Sequence, residues 1–539
     1  MLIGTLRTAI RRTTVLAGLT AAGLGLGLNG PAALAQGSDT LVIARSMDVN
    51  SLDPSRSWCD TCQIYLSAVY ETLLTMAPDN RTVVANLAGA WQANDDQSAF
   101  TFTINPAARF SDGSAVESKD VKWSWLRLRN MKAPPSMFMA TVATIATPDA
   151  ATVEVTLKAP NSEFLGIVAA PYMGVINSDV AIAAGANADA NADETDNAET
   201  WFLEHSAGSG PYQLVTYRPD DELRLKRNPN YWRAPPAMAE VVLKHTKDAV
   251  SQAQMLESGA ADIAMQIDPD TAKTIHSADV TVRMVPSFNF VYVALSPGAK
   301  GNKVPLTPEV RKAVSYALDY KGLIDLTLGG EGDTQATAIP NGFPGTDALP
   351  KPKHDVAMAK KLLAEAGVAD GFEIEAAYPN INVYGVDFAT MMQKVQQDLS
   401  KVNIKVALKP VTFPVWIDQI NSVGIPMTAV YYAPDYFGTG QYVNYFAMMK
   451  GASWYRRASL SGADKTVENK KAKDLLAKAL AAGGADQVKL FTQIGMEMVN
   501  DRIIMPIASP KLVLAYRSDI AGVRYSVCCN LPLNEITRK

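Results

Sequence analysis

The stretch VYYAPDYFGTGQY, residues 430–442, places one carboxylate among several aromatic side chains. The acid is Asp435, and the rings beside it in sequence are Tyr431, Tyr432, Tyr436, Phe437 and Tyr442. An unpaired buried charge is costly in a packed core, and a solvated loop rarely collects so many rings. A concave site for a small amine needs both groups, because the carboxylate binds an ammonium while the rings attract the cation and exclude water. The segment therefore predicts a site for an amine-bearing molecule.

Four cysteines stand in two pairs near the two ends of the chain. Cys59 and Cys62 form a C-x-x-C, whereas Cys528 and Cys529 are adjacent. An even count in an exported protein predicts disulfides and leaves their connectivity open. Bonds between the two pairs would join the chain ends, whereas a bond between adjacent cysteines is strained. A four-thiolate zinc site is the alternative, but adjacent ligands suit a tetrahedral ion poorly, so we expect no metal.

The sequence lacks the common catalytic motifs. It contains no G-x-S-x-G, no H-E-x-x-H and no phosphate-binding P-loop, and no second carboxylate stands beside Asp435. One G-x-G-x-x-G match, residues 25–30, has no strand before it and carries no weight. The histidines are scattered at His205, His245, His276 and His354. We therefore expect a binding protein rather than an enzyme, with no cofactor and little support for nickel.

Residues 1–35 have the pattern of an export signal. A basic start is followed by an apolar, Gly-rich run and by small residues before Gln36, where cleavage is expected. The paired Arg11 and Arg12 are typical of the twin-arginine route. No later stretch approaches the ~20 apolar residues of a membrane span. We expect the mature protein to be soluble and periplasmic.

The composition is that of a globular protein, with 48% hydrophobic and 19% charged residues. The predicted signal holds three arginines and no acids, so its removal moves the formal net charge from −4 to about −7. Nucleic-acid binding usually needs a basic face. This mild acidity therefore argues against a nucleic-acid partner.

Strand and helix patterns alternate along the second half of the chain. The segments FEIEAAY, IKVALKPV and MTAVYYA have strand character, and the segments ATMMQKVQQDLSKV and FPVWIDQINS have helical spacing. TPEVRKAVSYALDYKGLIDLTLG reads as one helix with Thr307 as N-cap and Pro308 at its first position. Such alternation predicts an α/β lobe with a mostly parallel sheet. Residues 181–200, rich in Ala, Asp and Asn, are interpreted as a helical or mobile surface insertion.

Several of these segments resemble the dipeptide, oligopeptide and nickel group of solute-binding proteins of ABC importers, known as family 5. FTFTINPAARFSDGSAVESKDVKWSW is similar to that family's strand, F-x-D-G turn and helix. GSGPYQLVTYRPDDELRLKRNPNYW resembles its G-[ST]-G-P-Y … R-N-P-x-Y-W block. EVRKAVSYALDYKGLI and AKKLLAEAG resemble two of its later helices. The matches keep the family's order and together cover most of residues 41–520.

The resemblance implies a two-lobe α/β fold of the periplasmic-binding-protein type II class, with an extra α/β subdomain on lobe I. Lobe I would combine three stretches of chain: residues 36–81, 206–285 and 506–539. The extra subdomain would span residues 82–205, and lobe II residues 286–505. The lobes would close over a ligand by a hinge motion. Both cysteine pairs would then lie in lobe I, consistent with a bridge between them.

The resemblance also implies roles for individual residues. Asp435 falls where peptide receptors of the family carry W-x-x-D-Y, whose Asp holds the ligand's α-amino group. The aromatic residues expected to contact the ligand are Trp58, Phe413, Tyr431, Tyr432 and Tyr436. The sequence departs from the family in two ways, because GTGQY replaces the D-P after the acidic segment and DFATMMQ lacks the Arg that grips a dipeptide's carboxylate. Arg456 and Arg457 could supply such a partner, although a solvated charge pair is the default expectation.

We therefore expect a monomeric periplasmic receptor that captures a small organic solute, either a peptide or another amine-bearing compound. It would deliver this solute to the permease and ATPase subunits of an ABC importer. The alternatives are a receptor of the same fold for a metal chelate, haem or an oligosaccharide, and a ligand-binding protein that reports to a sensor. Fold alone does not choose among them.

Overall fold

The computed structural model describes residues 39–462, 467–527 and 529–539. The predicted export signal and Cys528 lie outside these residues. The helices are α1 (Asp60–Val69), α2 (Ser118–Asn130), α3 (Phe164–Val168), α4 (Ser178–Ala183), α5 (Ala192–Thr195), α6 (Glu199–Glu204), α7 (Ala249–Ser258), α8 (Pro269–Lys273), α9 (Pro308–Ala317), α10 (Tyr320–Leu328), α11 (Val356–Glu365), α12 (Phe388–Ser400), α13 (Phe413–Ser422), α14 (Thr439–Phe446), α15 (Ser453–Ala458), α16 (Lys470–Ala481) and α17 (Gly484–Asp501). Short 3-10 helices occupy Pro134–Met139, Pro171–Met173 and Leu533–Glu535.

The strands are β1 (Thr40–Arg45), β2 (Leu74–Met76), β3 (Val83–Ala85), β4 (Ala88–Ala93), β5 (Ala99–Ile104), β6 (Val142–Ala146), β7 (Thr152–Leu157), β8 (Tyr212–Arg218), β9 (Glu222–Arg227), β10 (Glu240–His245), β11 (Ile263–Ala264), β12 (Val280–Val285), β13 (Phe290–Leu295), β14 (Gly332–Asp333), β15 (Phe372–Pro379), β16 (Asn382–Val383), β17 (Val386–Asp387), β18 (Ile404–Val411), β19 (Met427–Tyr432), β20 (Ile504–Pro510), β21 (Leu512–Arg517), β22 (Ile520–Ala521) and β23 (Thr537–Arg538).

The first large sheet has seven strands in the order β12-β21-β11-β1-β10-β9-β8. Its central strand β1 runs parallel to both neighbours, β10 and β11, with Ile43 opposite Leu243 and Ile263. These three side chains are fully buried. We call residues 39–285 and 511–539, which surround this sheet, the seven-stranded half.

The second large sheet has six strands in the order β14-β20-β13-β19-β15-β18. Strand β13 is buried along its whole length, as expected of an unbroken apolar run covered on both faces. The site strand β19 runs antiparallel to β13 and parallel to β15, and β15 runs parallel to β18. We call residues 286–510 the six-stranded half. The predicted α/β class is confirmed, and the division of the chain into moving lobes stays a prediction.

A four-stranded antiparallel sheet, β4-β5-β7-β6, lies within residues 88–157. Its buried Phe100 and Phe102 belong to the same hydrophobic core as the seven-stranded sheet. The Ala- and Asp-rich segment that follows forms the short helices α4, α5 and α6. It is anchored, because Asp196 accepts a 2.8 Å hydrogen bond from the buried Arg127. The structure therefore confirms the helical alternative that the sequence predicts for residues 181–200.

The predicted helix after Thr307 is divided in two. Thr307 caps α9 as expected and Pro308 takes the first position. The chain then leaves helical geometry at Leu318, and the Asp319 side chain accepts a hydrogen bond from the backbone N–H of Gly322. This local cap starts α10 as a new helix, since an Asp carboxylate satisfies a free N–H at a helix start better than it serves in a helix interior.

The disulfide joins Cys59 to Cys62. This bond excludes a bridge from Cys59 or Cys62 to the C-terminal pair, one of the connectivities that the sequence left open. The C-terminal segment meets α1, because the side-chain amide of Asn530 donates a 2.9 Å hydrogen bond to the Gln63 side chain on α1, and Cys529 is buried in the core that contains α1. Packing and hydrogen bonds therefore hold the C-terminal segment against α1.

None of the helices that the structure describes combines the length and apolarity needed to cross a bilayer.

Candidate functional site

A cavity of about 620 Å³ lies between the two large sheets, and both halves of the chain form its wall. The seven-stranded half contributes Asp48, Asn50, Trp58, Asp60, Gln63, Tyr172 and Gln266, among others. The six-stranded half contributes Tyr292, Phe413, Trp416, Tyr431, Tyr432, Asp435, Tyr445 and Arg457, among others. Several of these residues follow the carboxyl ends of strands, as ligand-contacting residues of open α/β sheets commonly do.

Asp435 lies three residues beyond the end of β19, on the cavity wall. Its side chain is only 6% exposed, and one oxygen accepts a 3.1 Å hydrogen bond from the Tyr432 hydroxyl. Burial raises the pKa of this carboxyl to about 8, an effect that the Tyr432 hydrogen bond opposes and the nearby Asp60 charge reinforces. No Lys or Arg of the described residues forms an ion pair with Asp435. Asp435 is therefore a buried acid whose ionised form a cationic group of a bound ligand would stabilise.

Gln441 shapes the loop that carries this acid. Its side-chain oxygen accepts a 2.9 Å hydrogen bond from the backbone N–H of Asp435. Its side-chain nitrogen donates to the carbonyls of Tyr436 and Gly438. Gln441 comes from the GTGQY stretch that replaces the family's usual residues. One side chain thus fixes both ends of the loop and holds Asp435 in place.

The rings of the predicted site surround the acid. Tyr432 packs against Tyr445, with ring centroids 4.8 Å apart, and Tyr431 meets Tyr384 edge to face at 5.5 Å. Phe413 lies 6.2 Å from Tyr431. These contacts give the six-stranded half an aromatic wall beside Asp435.

Trp58 supplies the facing aromatic surface. Its ring stacks on Tyr172 at 5.0 Å and lies 6.0 Å from Phe138. It directly precedes the Cys59–Cys62 disulfide at the start of α1. The disulfide therefore closes the turn that presents Trp58 to the cavity.

Five of the six predicted contact residues line the cavity: Trp58, Phe413, Tyr431, Tyr432 and Asp435. Tyr436 is not in that lining. Its ring packs edge to face on Phe138, 6.1 Å away, in the core of the seven-stranded half. The structure therefore gives Tyr436 a contact between the two halves and does not bring it together with the other five.

Two further carboxylates line the cavity on the seven-stranded side. Asp48 follows β1 and accepts hydrogen bonds from the backbone N–H groups of Asp60 and Thr61, each at 2.9 Å. Asp60 accepts a 3.0 Å hydrogen bond from the Tyr384 hydroxyl of the six-stranded half. Burial, followed by the Asp48 charge, raises the pKa of Asp60 to about 6. Asp48 forms an ion pair with Arg45, 3.7 Å away, so Asp60 and Asp435 are the acids whose ionised form a cationic ligand group would stabilise.

Arg457 also lines the cavity, against the expectation of a solvated charge pair. Its side chain is 6% exposed, whereas the neighbouring Arg456 is exposed. The two arginines are adjacent on the short helix α15, so they point in different directions. Of the two, only Arg457 lines the cavity. The charge pattern of the sequence does not predict which of the two arginines does so.

The halves also touch beyond the cavity. The Glu163 carboxylate accepts hydrogen bonds from the backbone N–H of Gly440. The backbone N–H of Ser162 donates a 2.8 Å hydrogen bond to the Leu480 carbonyl. Together with the Tyr384–Asp60 bond, these contacts hold the halves against each other around the cavity.

The described residues contain no group of three or more His, Cys, Asp or Glu side chains arranged to hold a metal ion. His205 stacks on Trp201 at 5.0 Å, and a ring nitrogen of His245 accepts a 2.9 Å hydrogen bond from the backbone of Met47. Neither histidine lines the cavity. The chemistry on its wall is that of hydrogen bonding, aromatic contact and charge pairing.

The sequence analysis missed several cavity residues, and two of them carried a usable signal. Asp48 and Gln266 each stand just beyond a strand, β1 and β11, that run parallel in one sheet. Polar residues at the carboxyl ends of neighbouring parallel strands meet at one edge. Tyr292 and Tyr445 had no such signal, because strand and helix patterns alone do not tell a cavity-facing side chain from a core one.

Comparison with known proteins gives consistent matches. A sequence model described as "Bacterial extracellular solute-binding proteins, family 5 Middle" matches residues 82–454. The probable D,D-dipeptide-binding periplasmic protein DdpA of Escherichia coli K12 is 26% identical over 498 residues, covering 90% of this chain and 91% of its own. The glutathione-binding protein GsiB of Salmonella typhi is 26% identical over 390 residues, covering 71% of this chain and 72% of its own.

Solved structures share the fold. The dipeptide-binding protein of Pseudoalteromonas sp. SM9913, in complex with Met-Leu, has a TM-score of 0.79 at 20% identity and covers 93% of this chain and 100% of its own. The Agrobacterium protein AgaA, in complex with agropinic acid, has a TM-score of 0.76 at 21% identity and covers 93% of this chain and 99% of its own. The expected type II fold is thereby confirmed.

Proposed function

The chain belongs to the bacterial extracellular solute-binding proteins of family 5, and on that premise we propose that its ligand is an amine-bearing organic solute of peptide-like size whose ammonium group is bound by Asp435. As a member of this family, the protein is a receptor that captures a small solute for an ABC importer, and it is not an enzyme.

The observation that carries the proposal is the buried, unpaired carboxylate of Asp435 on an aromatic wall. A carboxyl that makes one hydrogen bond to Tyr432 has further acceptor positions directed into the cavity. An ammonium placed there forms a charge-assisted hydrogen bond in a site shielded from water. The rings of Tyr432 and Tyr431 add cation–π attraction and apolar contact.

The size and charge of the cavity support the same ligand class. Its volume of about 620 Å³ falls within the range of small-molecule sites, roughly 300–1,000 Å³. A peptide of a few residues fits such a volume. The ligands of the relatives, a D,D-dipeptide, glutathione and Met-Leu, are peptides of this size.

The receptor would act in the periplasm after removal of its export signal. Its partners would be the permease and the ATPase subunits of the importer, and it would work as a monomer. The contacts between the two halves support capture by closure, because Tyr384 of one half bonds Asp60 of the other beside the ligand space.

Native mass spectrometry of the protein purified from its own periplasm tests the proposal. Denaturation would release a bound molecule for identification, and a small amine or peptide is expected. A metal chelate, haem or an oligosaccharide would overturn the amine model while leaving the receptor in place.

A binding assay completes the test. D-alanyl-D-alanine, Met-Leu and glutathione would be titrated into the wild type and into Asp435→Asn. We expect the variant to lose about tenfold or more in affinity, because the charge that pairs with the ammonium is gone. Asp474→Asn is the matched control, since Asp474 is exposed on α16 and removes the same charge outside the cavity. Unchanged binding by Asp435→Asn would exclude Asp435 as the anchor.

A further inference from the structure

Arg457 is a buried cation on the cavity wall that the proposed role of Asp435 does not use. Its Nε donates a 3.2 Å hydrogen bond to the Asn421 side chain, and one terminal nitrogen donates a 3.2 Å bond to the Tyr445 hydroxyl. Its guanidinium carbon lies 5.1 Å from the ring centroid of Trp454 and 5.6 Å from that of Tyr445. The side chain is therefore fixed by neutral partners.

These partners occupy two of the five N–H donors of a guanidinium. The second terminal nitrogen, Nη2, makes no hydrogen bond with any residue in the described ranges. No Asp or Glu of those ranges forms an ion pair with Arg457, and Asp435 is one of the acids that do not. Arg457 therefore has no counterion among the described residues, and its unused N–H donors remain available to a molecule bound in the cavity.

Arg127 shows how this fold otherwise satisfies a buried guanidinium. It is also fully buried, and its nitrogens lie 2.6 Å from Asp53 and 2.8 Å from Asp196. Two carboxylates therefore compensate the charge of Arg127. Arg457 is nearly as buried, forms no such pair with the described residues, and lies beside a cavity. Because a buried charge without a counterion is costly, the missing anion is expected from the molecule that fills the cavity.

We propose that Arg457 binds a carboxylate of the ligand, so that the receptor recognises a zwitterion whose ammonium meets Asp435 and whose carboxylate meets Arg457. This inference rests on the proposed function, since it concerns the other end of the same ligand. The planar fork of Arg suits a carboxylate, which it can bind through two parallel hydrogen bonds.

The chemistry of the rest of the wall selects a carboxylate over a phosphate. Asp48, Asp60 and Asp435 line the same cavity, and a doubly charged phosphate would meet their repulsion. A single carboxylate balances Arg457 and leaves Asp435 available to the ammonium. A ligand that also carries a second amine would be accepted on the same grounds.

The test compares three forms of each of two dipeptides, D-alanyl-D-alanine and Met-Leu: the free form, the C-terminal amide and the N-acetyl form. Dissociation constants and melting temperatures would be measured for the wild type, Arg457→Gln, Arg457→Lys and Arg456→Gln. Arg456→Gln is the matched control, because that exposed arginine on the same helix does not line the cavity.

The free forms are expected to bind the wild type about tenfold or more tightly than the amides. This preference should vanish in Arg457→Gln, be reduced in Arg457→Lys, which keeps the charge but lacks the fork, and persist in Arg456→Gln. The comparison of free form and amide on the wild type needs no variant, so a folding defect of Arg457→Gln leaves the test intact.

The other outcomes separate the two proposals. Equal binding of free forms and amides, with weak binding of N-acetyl forms, overturns the role of Arg457 and keeps that of Asp435. Equal binding of free and N-acetyl forms, with weak amides, keeps Arg457 and overturns the ammonium site. Failure of every carboxylate form to bind or to raise the melting temperature overturns the zwitterion inference.

Discussion

The carboxylate of Glu163, in the seven-stranded half, accepts hydrogen bonds of 2.8 and 3.1 Å from the backbone N–H of Gly440, in the first turn of α14 in the six-stranded half. A carboxylate at a helix start satisfies N–H groups that the helix leaves free. This pair therefore fastens the two halves at a point outside the cavity. Burial disfavours the charge of Glu163, so the contribution of this contact depends on pH.

Removal of that charge should alter how stability depends on pH. Burial raises the pKa of Glu163 from 4.5 to about 7, although hydrogen bonds from Gly440 and Thr439 oppose the shift. A raised carboxyl pKa means that folding favours the protonated form, so its stabilising contribution is complete below pH ~4.5 and is lost as the pH rises through about 7. Glu163→Gln keeps the neutral state at every pH.

We therefore expect Glu163→Gln to exceed the wild type in unfolding free energy by about 1–2 kcal/mol at pH 8, with the difference shrinking towards pH 4.5. Chemical unfolding at several pH values measures this. A difference that stays constant with pH would show that the carboxyl does not titrate in this range. Glu194→Gln, an exposed acid on α5, is the control.

Ligand binding should release a proton. Burial raises the pKa of Asp435 in the empty cavity to about 8, whereas pairing with an ammonium requires the ionised form. Affinity should therefore rise with pH up to about 8 and fall by up to about tenfold per pH unit below it, until the pKa of the complex is reached. Calorimetry in buffers of different ionisation enthalpy counts the released proton at pH 6.5. A binding reaction without proton release at that pH would contradict the anchoring role, and Asp435→Asn should show none from this site.

Gly166 controls how closely the halves approach. A Cβ added there would lie 2.6 Å from the backbone carbonyl oxygen of Phe437, across the contact between the halves. Because a backbone oxygen cannot rotate aside, Gly166→Ala should push the halves apart and lower ligand affinity by about tenfold or more. Small-angle scattering should show a larger radius of gyration for the variant with ligand than for the liganded wild type. Gly483→Ala is the control, since nothing lies within 4 Å of a Cβ at that position. Equal affinity and radius in Gly166→Ala and wild type would mean that this contact does not limit closure.

The Cys59–Cys62 disulfide should stabilise the wall that carries Trp58 and Asp60. The bond closes a loop with a sequence separation of 3, and so short a loop contributes about 2 kcal/mol or less through chain entropy. Replacement of both cysteines by Ser should lower the unfolding free energy by about 1–2 kcal/mol, while Ser at position 59 keeps a side chain able to cap α1. Denaturant unfolding measures the change in unfolding free energy, and ligand titration measures the affinity of the site in the variant. Unchanged stability together with unchanged affinity would show that the disulfide is dispensable for the site.

The sequence by itself determined the α/β class and the place of the acidic aromatic segment after a strand, and it named five residues that line the cavity. These features are local. The alternation of apolar residues predicts where a strand such as β19 ends. The residues that follow a strand end lie at the edge of the sheet, where ligands commonly bind. Asp435 could be found for that reason, whereas Phe413 and the two tyrosines were assigned to the ligand from the family resemblance.

Only the tertiary structure decided which distant residues share the cavity and which leave it. Arg457 and Arg456 are adjacent and chemically alike, yet packing turns one inward and leaves the other in water. Tyr436, one residue after Asp435, joins the core of the opposite half. These outcomes depend on how segments hundreds of residues apart fit together, because close packing is fixed by the shape of all neighbours at once and not by the pattern of any single element.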